Sequence, residues 1–126
     1  RGGRQADFDP ESGGGAWGGL AQAGRPERLR VDLSHGNTPG GFRNQLVSGA
    51  TVAEQLARGD SRIMGVSAES HLVEGRQDLV PGKPLVFGQS ITDPCIGWDD
   101  SVALLEQLAA AGEARRKTTA AAASPR

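Results

Sequence analysis

The sequence predicts an α/β fold built on a parallel sheet, and three observations carry that prediction. Apolar residues alternate at every second position over Leu29–Ser34, and a second strand-like run follows at Ile63–Ala68. Between them, Phe42, Leu46, Ala50, Ala53, Leu56 and Ala57 recur at helical spacing, with Gly59 as the stop. Strand, helix and strand in succession are the signature of a β/α unit. Two clear strands cannot make a sheet covered on both faces, so the fold is expected to be incomplete within this chain.

Each element has a local reason. Residues 1–27 carry Gly13-Gly14-Gly15 and Gly18-Gly19, and each glycine costs roughly 1 kcal/mol relative to alanine in a helix. A weak helix near Ala16–Ala23, closed by Gly24, is the most that stretch supports, and Pro26 marks a break. The first strand ends in Ser34-His35-Gly36-Asn37-Thr38-Pro39-Gly40-Gly41, a run of turn formers. Residues 70–98 hold Pro81, Pro84 and Pro94 and show no sustained period, which predicts a long ordered loop. Its apolar residues, from Leu72 to Trp98, favour packing over disorder. Asp99, Asp100 and Ser101 can cap a last helix with Val102, Leu105, Leu108 and Ala109 on its core face. Arg115, Arg116 and Lys117 suit that helix's C-terminal dipole. One domain is thus expected over 1–117, followed by a frayed, Ala-rich tail over 118–126.

Composition narrows the function. At 126 residues the chain is one domain at most. Fourteen Lys+Arg against fifteen Asp+Glu give a net charge of −1, which removes any argument for broad binding of nucleic acid or an anionic membrane. Most of the basic residues are arginine, suited to point recognition of phosphate or carboxylate. The lone Cys95 excludes an internal disulfide and any CxxC motif. No apolar run is long enough for a membrane-spanning helix, and the opening residues show no signal-peptide pattern. With Arg1 first and Met64 the only methionine, the sequence reads as a piece of a longer product.

In β/α architectures, functional residues sit at the C-terminal ends of strands and in the loops that follow. That rule selects His35, Glu69 and, in the loop beyond, Asp93. One imidazole and two carboxylates could converge on a divalent cation, with Mn²⁺ or Fe²⁺ suiting the donor mix and zinc not excluded. On spacing alone, a strand-end histidine or glutamate could equally be solvated or ion-paired.

The local words are more specific. Asp32-Leu33-Ser34-His35-Gly36-Asn37, Glu69-Ser70-His71-Leu72-Val73-Glu74-Gly75 and Gly88-Gln89-Ser90-Ile91-Thr92-Asp93-Pro94-Cys95-Ile96-Gly97-Trp98 closely resemble class I 3-deoxy-D-arabino-heptulosonate 7-phosphate (DAHP) synthase. The opening Arg1-Gly2-Gly3 resembles that family's RGG element, and the blocks occur in family order. The resemblance spans about residues 1–116 and corresponds to the C-terminal third of the family's chain.

The resemblance implies the last β/α units of a TIM (β/α)₈ barrel, incomplete here. The implied reaction condenses phosphoenolpyruvate (PEP) with erythrose 4-phosphate and releases phosphate, the first step towards aromatic amino acids. His35, Glu69 and Asp93 would be three ligands of a divalent metal, Mn²⁺ or Fe²⁺ first and Co²⁺ or Zn²⁺ next. A fourth, a cysteine, lies outside this chain and is not Cys95. Arg1 would grip the PEP phosphate. Asp93 and His35 are the catalytic candidates, with Asp93 or a metal-bound water as the base for hydration of PEP C2. The parent protein would be a cytoplasmic homo-oligomer, its partners being the two substrates and the remainder of the barrel, with no nucleic acid and no membrane.

Departures from the family pattern lie in Glu11–Gly19, which lacks an apolar stripe, in Pro39-Gly40-Gly41, and in Pro94, where alanine is usual. The family's Lys-Pro-Arg element is absent. The chain alone is therefore expected to be inactive, and the competing expectation is a truncated, non-catalytic fragment serving at most as an interaction module. His71 is expected to stabilise its loop, and Trp17 and Trp98 to pack.

Overall fold

The computed structural model describes residues 6–124, and the expectation for Arg1 lies outside them. The elements are α1 (Pro10–Gln22), β1 (Leu29–Asp32), a single 3-10 turn (His35–Asn37), α2 (Asn44–Ala57), β2 (Ile63–Ser67), β3 (Val73–Arg76), β4 (Gln89–Ser90) and α3 (Trp98–Ala123). β1 and β2 pair in parallel, with Arg30 opposite Gly65, Val31 opposite Val66 and Asp32 opposite Ser67. The predicted strand–helix–strand unit with a parallel pair is therefore present, in a mixed α/β chain.

The core lies between this pair and the helices. Leu33, Val52, Ala53, Leu56, Ile63, Ile96, Leu104 and Ala111 are buried together, with Trp17 from α1. α2 and α3 approach closely at Gly49, where a Cβ would run into Leu104 Cδ1. α2 stops where expected: Gly59 has φ of +101°, and the Asp60 amide closes back on Gln55 O at 3.1 Å.

Several expectations need correction. The first helix begins at Pro10 rather than Ala16, through its glycines, because Pro10 is preset for the first helical position and the Glu11 amide donates to Asp9 Oδ1 at 3.1 Å.

The 70–98 segment is ordered but not simply loop. β3 and β4 pair in parallel, and isolated bridges join Ser70 to Ile96 and Gly75 to Cys95. Strands of four and two residues are too short to display a period. Of this segment's apolar residues Ile96 packs in the core as expected, whereas Leu79, Leu85, Val86 and Phe87 are exposed. Side-chain amides hold it instead, with Gln77 Nε2 donating to Val86 O (2.8 Å) and Gln89 O (2.9 Å) and its Oε1 accepting from the Val86 amide (2.8 Å).

The core face of α3 is also rotated from the one expected. Leu104 and Ala111 are buried and Leu108 partly so, whereas Leu105 is exposed. The helix starts at Trp98 with Gly97 as its N-cap, so Asp99 and Asp100 occupy the first turn instead of capping it. Finally, the expected frayed tail is helical through Ala123. Alanine has the highest intrinsic helix propensity, and Thr118 and Thr119 donate their hydroxyls to Ala114 O and Arg115 O at 3.0 Å. Arg115 consequently lies inside the helix, where Nη1 donates to Ile63 O at 2.8 Å and Asp60 O at 3.1 Å. No helix among the described residues is long and apolar enough to cross a membrane.

Candidate metal centre

The end of β1 builds the first part of the site. After Leu33, whose amide still donates to Ser67 O at 2.8 Å, the chain turns sharply, and His35 adopts a positive φ of +55°. A non-glycine residue in that region is uncommon and persists only where its surroundings hold it. Here the holding is explicit. Asp32 receives the Ser34 amide on Oδ1 (3.0 Å) and faces His35 Nδ1 with Oδ2 (2.8 Å). Asn37, 1% exposed, donates Nδ2 to Asp32 O (2.7 Å) and Asp7 Oδ1 (2.8 Å), and its Oδ1 accepts the Asp7 amide (2.7 Å).

With Nδ1 turned to a carboxylate, the imidazole presents Nε2 outward. Glu69 Oε1 stands 3.7 Å from that nitrogen and Asp93 Oδ2 stands 3.5 Å from it. One ligand atom from each of the three residues lies within 4.8 Å of the others. The three sequence candidates thus converge on one point, although they come from three separate segments.

Glu69 and Asp93 reach it by backbone pairing. Ile96 donates its amide to Glu69 O (3.0 Å), and the His71 amide donates to Ile96 O (3.0 Å), so the segment after Asp93 runs beside the segment after β2. Glu69 is fixed from below as well: its amide donates to Gln45 Oε1 (2.8 Å), and Gln45 Nε2 donates to Glu69 O (3.0 Å). Gln45, Asn37 and Asp32 were not among the expected site residues. The available signal was a polar residue on the inward stripe of α2, where Gln45, Ser48, Val52 and Gln55 are all buried.

His71 is not in the cluster; its Nδ1 accepts the Leu72 amide at 2.8 Å, the loop-stabilising role expected of it. Trp17 packs in the core with Arg62 stacked 3.8 Å over its ring, whereas Trp98 is exposed and does not pack as expected. Cys95 is buried, its Sγ donating to Asp93 O at 3.4 Å. Burial pushes its thiol up, as do the charges of Glu69 and Asp93, against a hydrogen bond with Ser90 that pulls it down. With its Sγ turned to the Asp93 carbonyl, Cys95 stands outside the cluster of three ligand atoms.

The geometry fits a divalent cation. Two donors, each about 2.1 Å from one ion at tetrahedral to octahedral angles, stand roughly 3.0–3.4 Å apart. The two separations from His35 Nε2, 3.5 and 3.7 Å, are within a few tenths of that, and the Glu69 and Asp93 oxygens lie within 4.8 Å of each other. A histidine whose second nitrogen is bound by a carboxylate is the usual form of a metal-ligating histidine, because the partner fixes tautomer and ring orientation.

A family model described as the DAHP synthetase I family matches residues 15–106. The Phe-sensitive phospho-2-dehydro-3-deoxyheptonate aldolase of Escherichia coli (strain K12) is 47% identical over 116 residues, covering 92% of this chain and 33% of that protein. The phospho-2-dehydro-3-deoxyheptonate aldolase of Haemophilus influenzae is 51% identical over 100 residues, covering 79% of this chain and 28% of that protein. The solved structure of phospho-2-dehydro-3-deoxyheptonate aldolase from Francisella tularensis SCHU S4 superposes with a TM-score of 0.84 at 36% identity, over 91% of this chain and 33% of that one. The chain spans about a third of the length of the curated relatives it matches.

Proposed function

Because the chain belongs to the DAHP synthetase I family, we propose that it forms part of a (β/α)₈ barrel condensing PEP with erythrose 4-phosphate to DAHP and phosphate. The observation that carries this reading is the convergence of His35 Nε2, Glu69 and Asp93, with Asp32 on the opposite ring nitrogen. His35, Glu69 and Asp93 would hold a divalent metal, Mn²⁺ or Fe²⁺ by donor type. When bound, that ion supplies Lewis-acid stabilisation of the negative charge that develops on the tetrose aldehyde oxygen as PEP C3 attacks.

The chain's own residues prepare for this. Asp32 holds the His35 ring so that Nε2 keeps its lone pair for the site. Glu69, fixed by Gln45, brings one negative charge, and Asp93 brings a second from a more exposed position, its side chain 55% exposed. Asp93 would take, on a carboxylate oxygen, the proton of the water that adds at PEP C2. Arg1 would bind the PEP phosphate, and the remaining phosphate-binding groups would come from earlier strands of the barrel.

The isolated chain is expected to be inactive. Supporting this, Met64 on β2 is 67% exposed and Val47 on α2 is 59% exposed, surfaces that further β/α units would cover. The test is Mn²⁺-dependent phosphate release from PEP and erythrose 4-phosphate, measured on this chain and on the chain continued into a complete barrel. Activity is expected only in the complete barrel. It should fall by about a thousandfold or more on His35→Ala or Glu69→Ala, since Lewis-acid stabilisation supplies several kcal/mol. A folded complete barrel that releases no phosphate would overturn the reading in favour of a non-catalytic fragment.

A further inference from the structure

We propose that Gln45 is a positioning residue for the metal centre: its side-chain amide fastens the backbone of Glu69 to α2 and so sets the distance between the Glu69 carboxylate and His35 Nε2. The inference rests on the metal-site reading above. Gln45 lies in the first turn of α2 and is 0% exposed. Both ends of its amide serve one residue, Oε1 accepting from the Glu69 amide at 2.8 Å and Nε2 donating to Glu69 O at 3.0 Å. Two bonds to a single residue's backbone fix its position and also its rotation about the chain.

Glu69 needs such a device. The β1–β2 ladder ends at the pair Asp32 and Ser67, so Glu69 lies beyond the regular sheet. Ile96, a core residue three positions after Asp93, supplies one bond to Glu69 O, but nothing from that segment meets the Glu69 amide. Gln45 ties Glu69 to α2 and engages both its amide and its carbonyl, where Ile96 reaches the carbonyl alone.

The same face of α2 also holds the other ligand. Ser48, one helical turn on, donates Oγ to Asn37 O at 3.0 Å, and Asn37 closes the turn that begins at His35. Two adjacent buried polar residues of one helix thus tie down the segments bearing His35 and Glu69. An apolar residue would fill the space of Gln45 without the cost of burying an amide, so the polar choice reports a positional requirement. Ligating groups need placement within about half an ångström, which packing alone does not deliver for a residue past the end of a strand.

The test compares two buried glutamines of α2. Gln55, 7% exposed, donates to Phe8 O at 2.7 Å, away from the metal ligands. Gln45→Met and Gln55→Met are made in the complete barrel, and each is titrated with Mn²⁺ while the free ion is read by electron paramagnetic resonance. Circular dichroism and thermal melting report the fold. Gln45→Met is expected to stay folded and lose Mn²⁺ affinity about ten- to a hundredfold, the range for groups that orient ligands. Gln55→Met is expected to melt lower but keep the parent's affinity.

Parent-like Mn²⁺ binding by Gln45→Met, or an equal loss in Gln55→Met, overturns the proposal. If Gln45→Met fails to fold, the isosteric Gln45→Glu replaces it, keeping an acceptor for the Glu69 amide but losing the donor to Glu69 O. At least a tenfold loss is expected there. Failure of both Gln45 variants to fold beside a folded Gln55→Met would assign Gln45 to stability and also overturn the proposal. The underlying reading fails separately, if the unsubstituted barrel holds no Mn²⁺ or His35→Ala holds it equally well.

Discussion

His35 and Asp93 come within 3.5 Å of each other from surroundings of opposite kinds. The turn carrying His35 is enclosed. Leu33, two residues before it, is 0% exposed, Asn37, two residues after, is 1% exposed, and every bond that shapes the turn is buried or half-buried. Asp93 follows a segment in which Leu79 is 66% and Phe87 90% exposed, and which keeps its shape through bonds among its own residues. Arg76 Nε on Thr92 O (2.8 Å) and Gln89 Nε2 on Glu74 O (2.9 Å) are of this sort. At its edge, Arg43 of the α2 entry pairs with Glu74 at 2.6 Å, an exposed contact that salt screens. One side of the centre is set by a core, and the other by a largely exposed flap that enters that core at Ile96. Ligands of a single ion can therefore depend on stability terms of different size and origin.

The largest effect expected of this contrast is at Leu33. Leu33→Ala removes a side chain buried between β1 and α2, at a cost of about 2–5 kcal/mol, because the cavity left by a buried leucine closes only in part. Urea titration followed by circular dichroism should show a lowered midpoint with little change in slope. A loss below about 1 kcal/mol would mean that the His35 turn does not draw its order from the core beneath it.

These two regions were also unequally legible in the sequence. β1, α2 and β2 could be read because their side chains face one core at periods of two and 3.6 residues. The 70–98 segment could not, since β3 and β4 are too short for a period and are held by glutamine and arginine side chains that leave no pattern. The same logic separates the site residues. His35, Glu69 and Asp93 stood at strand ends or inside distinctive words, and they do converge. Gln45 sat on a helix face that looked apolar through Leu46 and Leu56, and only the fold shows which residue's backbone its amide meets. The face of α3 is likewise decided by a contact that the sequence does not display, Leu104 rather than Leu105 meeting Gly49.

The opposite end of β2 offers an intermediate effect, readable through pH. Burial pushes the Asp60 carboxyl up. Hydrogen bonds from the Arg62 side chain and backbone, with the charges of Arg62 and Arg115, pull it further down, so it lies below its ordinary 3.8. A carboxyl depressed in the folded state stabilises the protein above its unfolded value, and that contribution is lost as pH falls through the folded one. Asp60→Asn should therefore be less stable than the parent at pH 7, with the gap closing as pH drops below about 4. Urea midpoints measured from pH 7 to pH 2.5 test this. A gap that stays constant with pH would show that the Asp60–Arg62 pair contributes nothing electrostatic to this corner, unlike the Asp60 and Ile63 carbonyls that Arg115 binds directly.

The smallest effect should come from the most conspicuous apolar residue. Phe87 is 90% exposed, and no core loses a contact when it goes, so Phe87→Ser should change the stability of this chain by no more than about 0.5 kcal/mol. The backbone there is held from Gln77, through Val86 O and the Val86 amide, and those bonds need nothing from the phenyl ring. Solubility should move even where stability does not. Removing a fully presented aromatic side chain that follows the exposed Leu85 and Val86 in the chain reduces exposed apolar surface of the kind that drives association. The same substitution in a complete barrel separates two origins for this exposure. A cost there above about 1 kcal/mol would mean that the flap packs under residues this chain lacks, and that Asp93 is held by that contact. An unchanged stability in both settings would leave the flap's own hydrogen bonds and the buried Ile96 as the support of the third ligand.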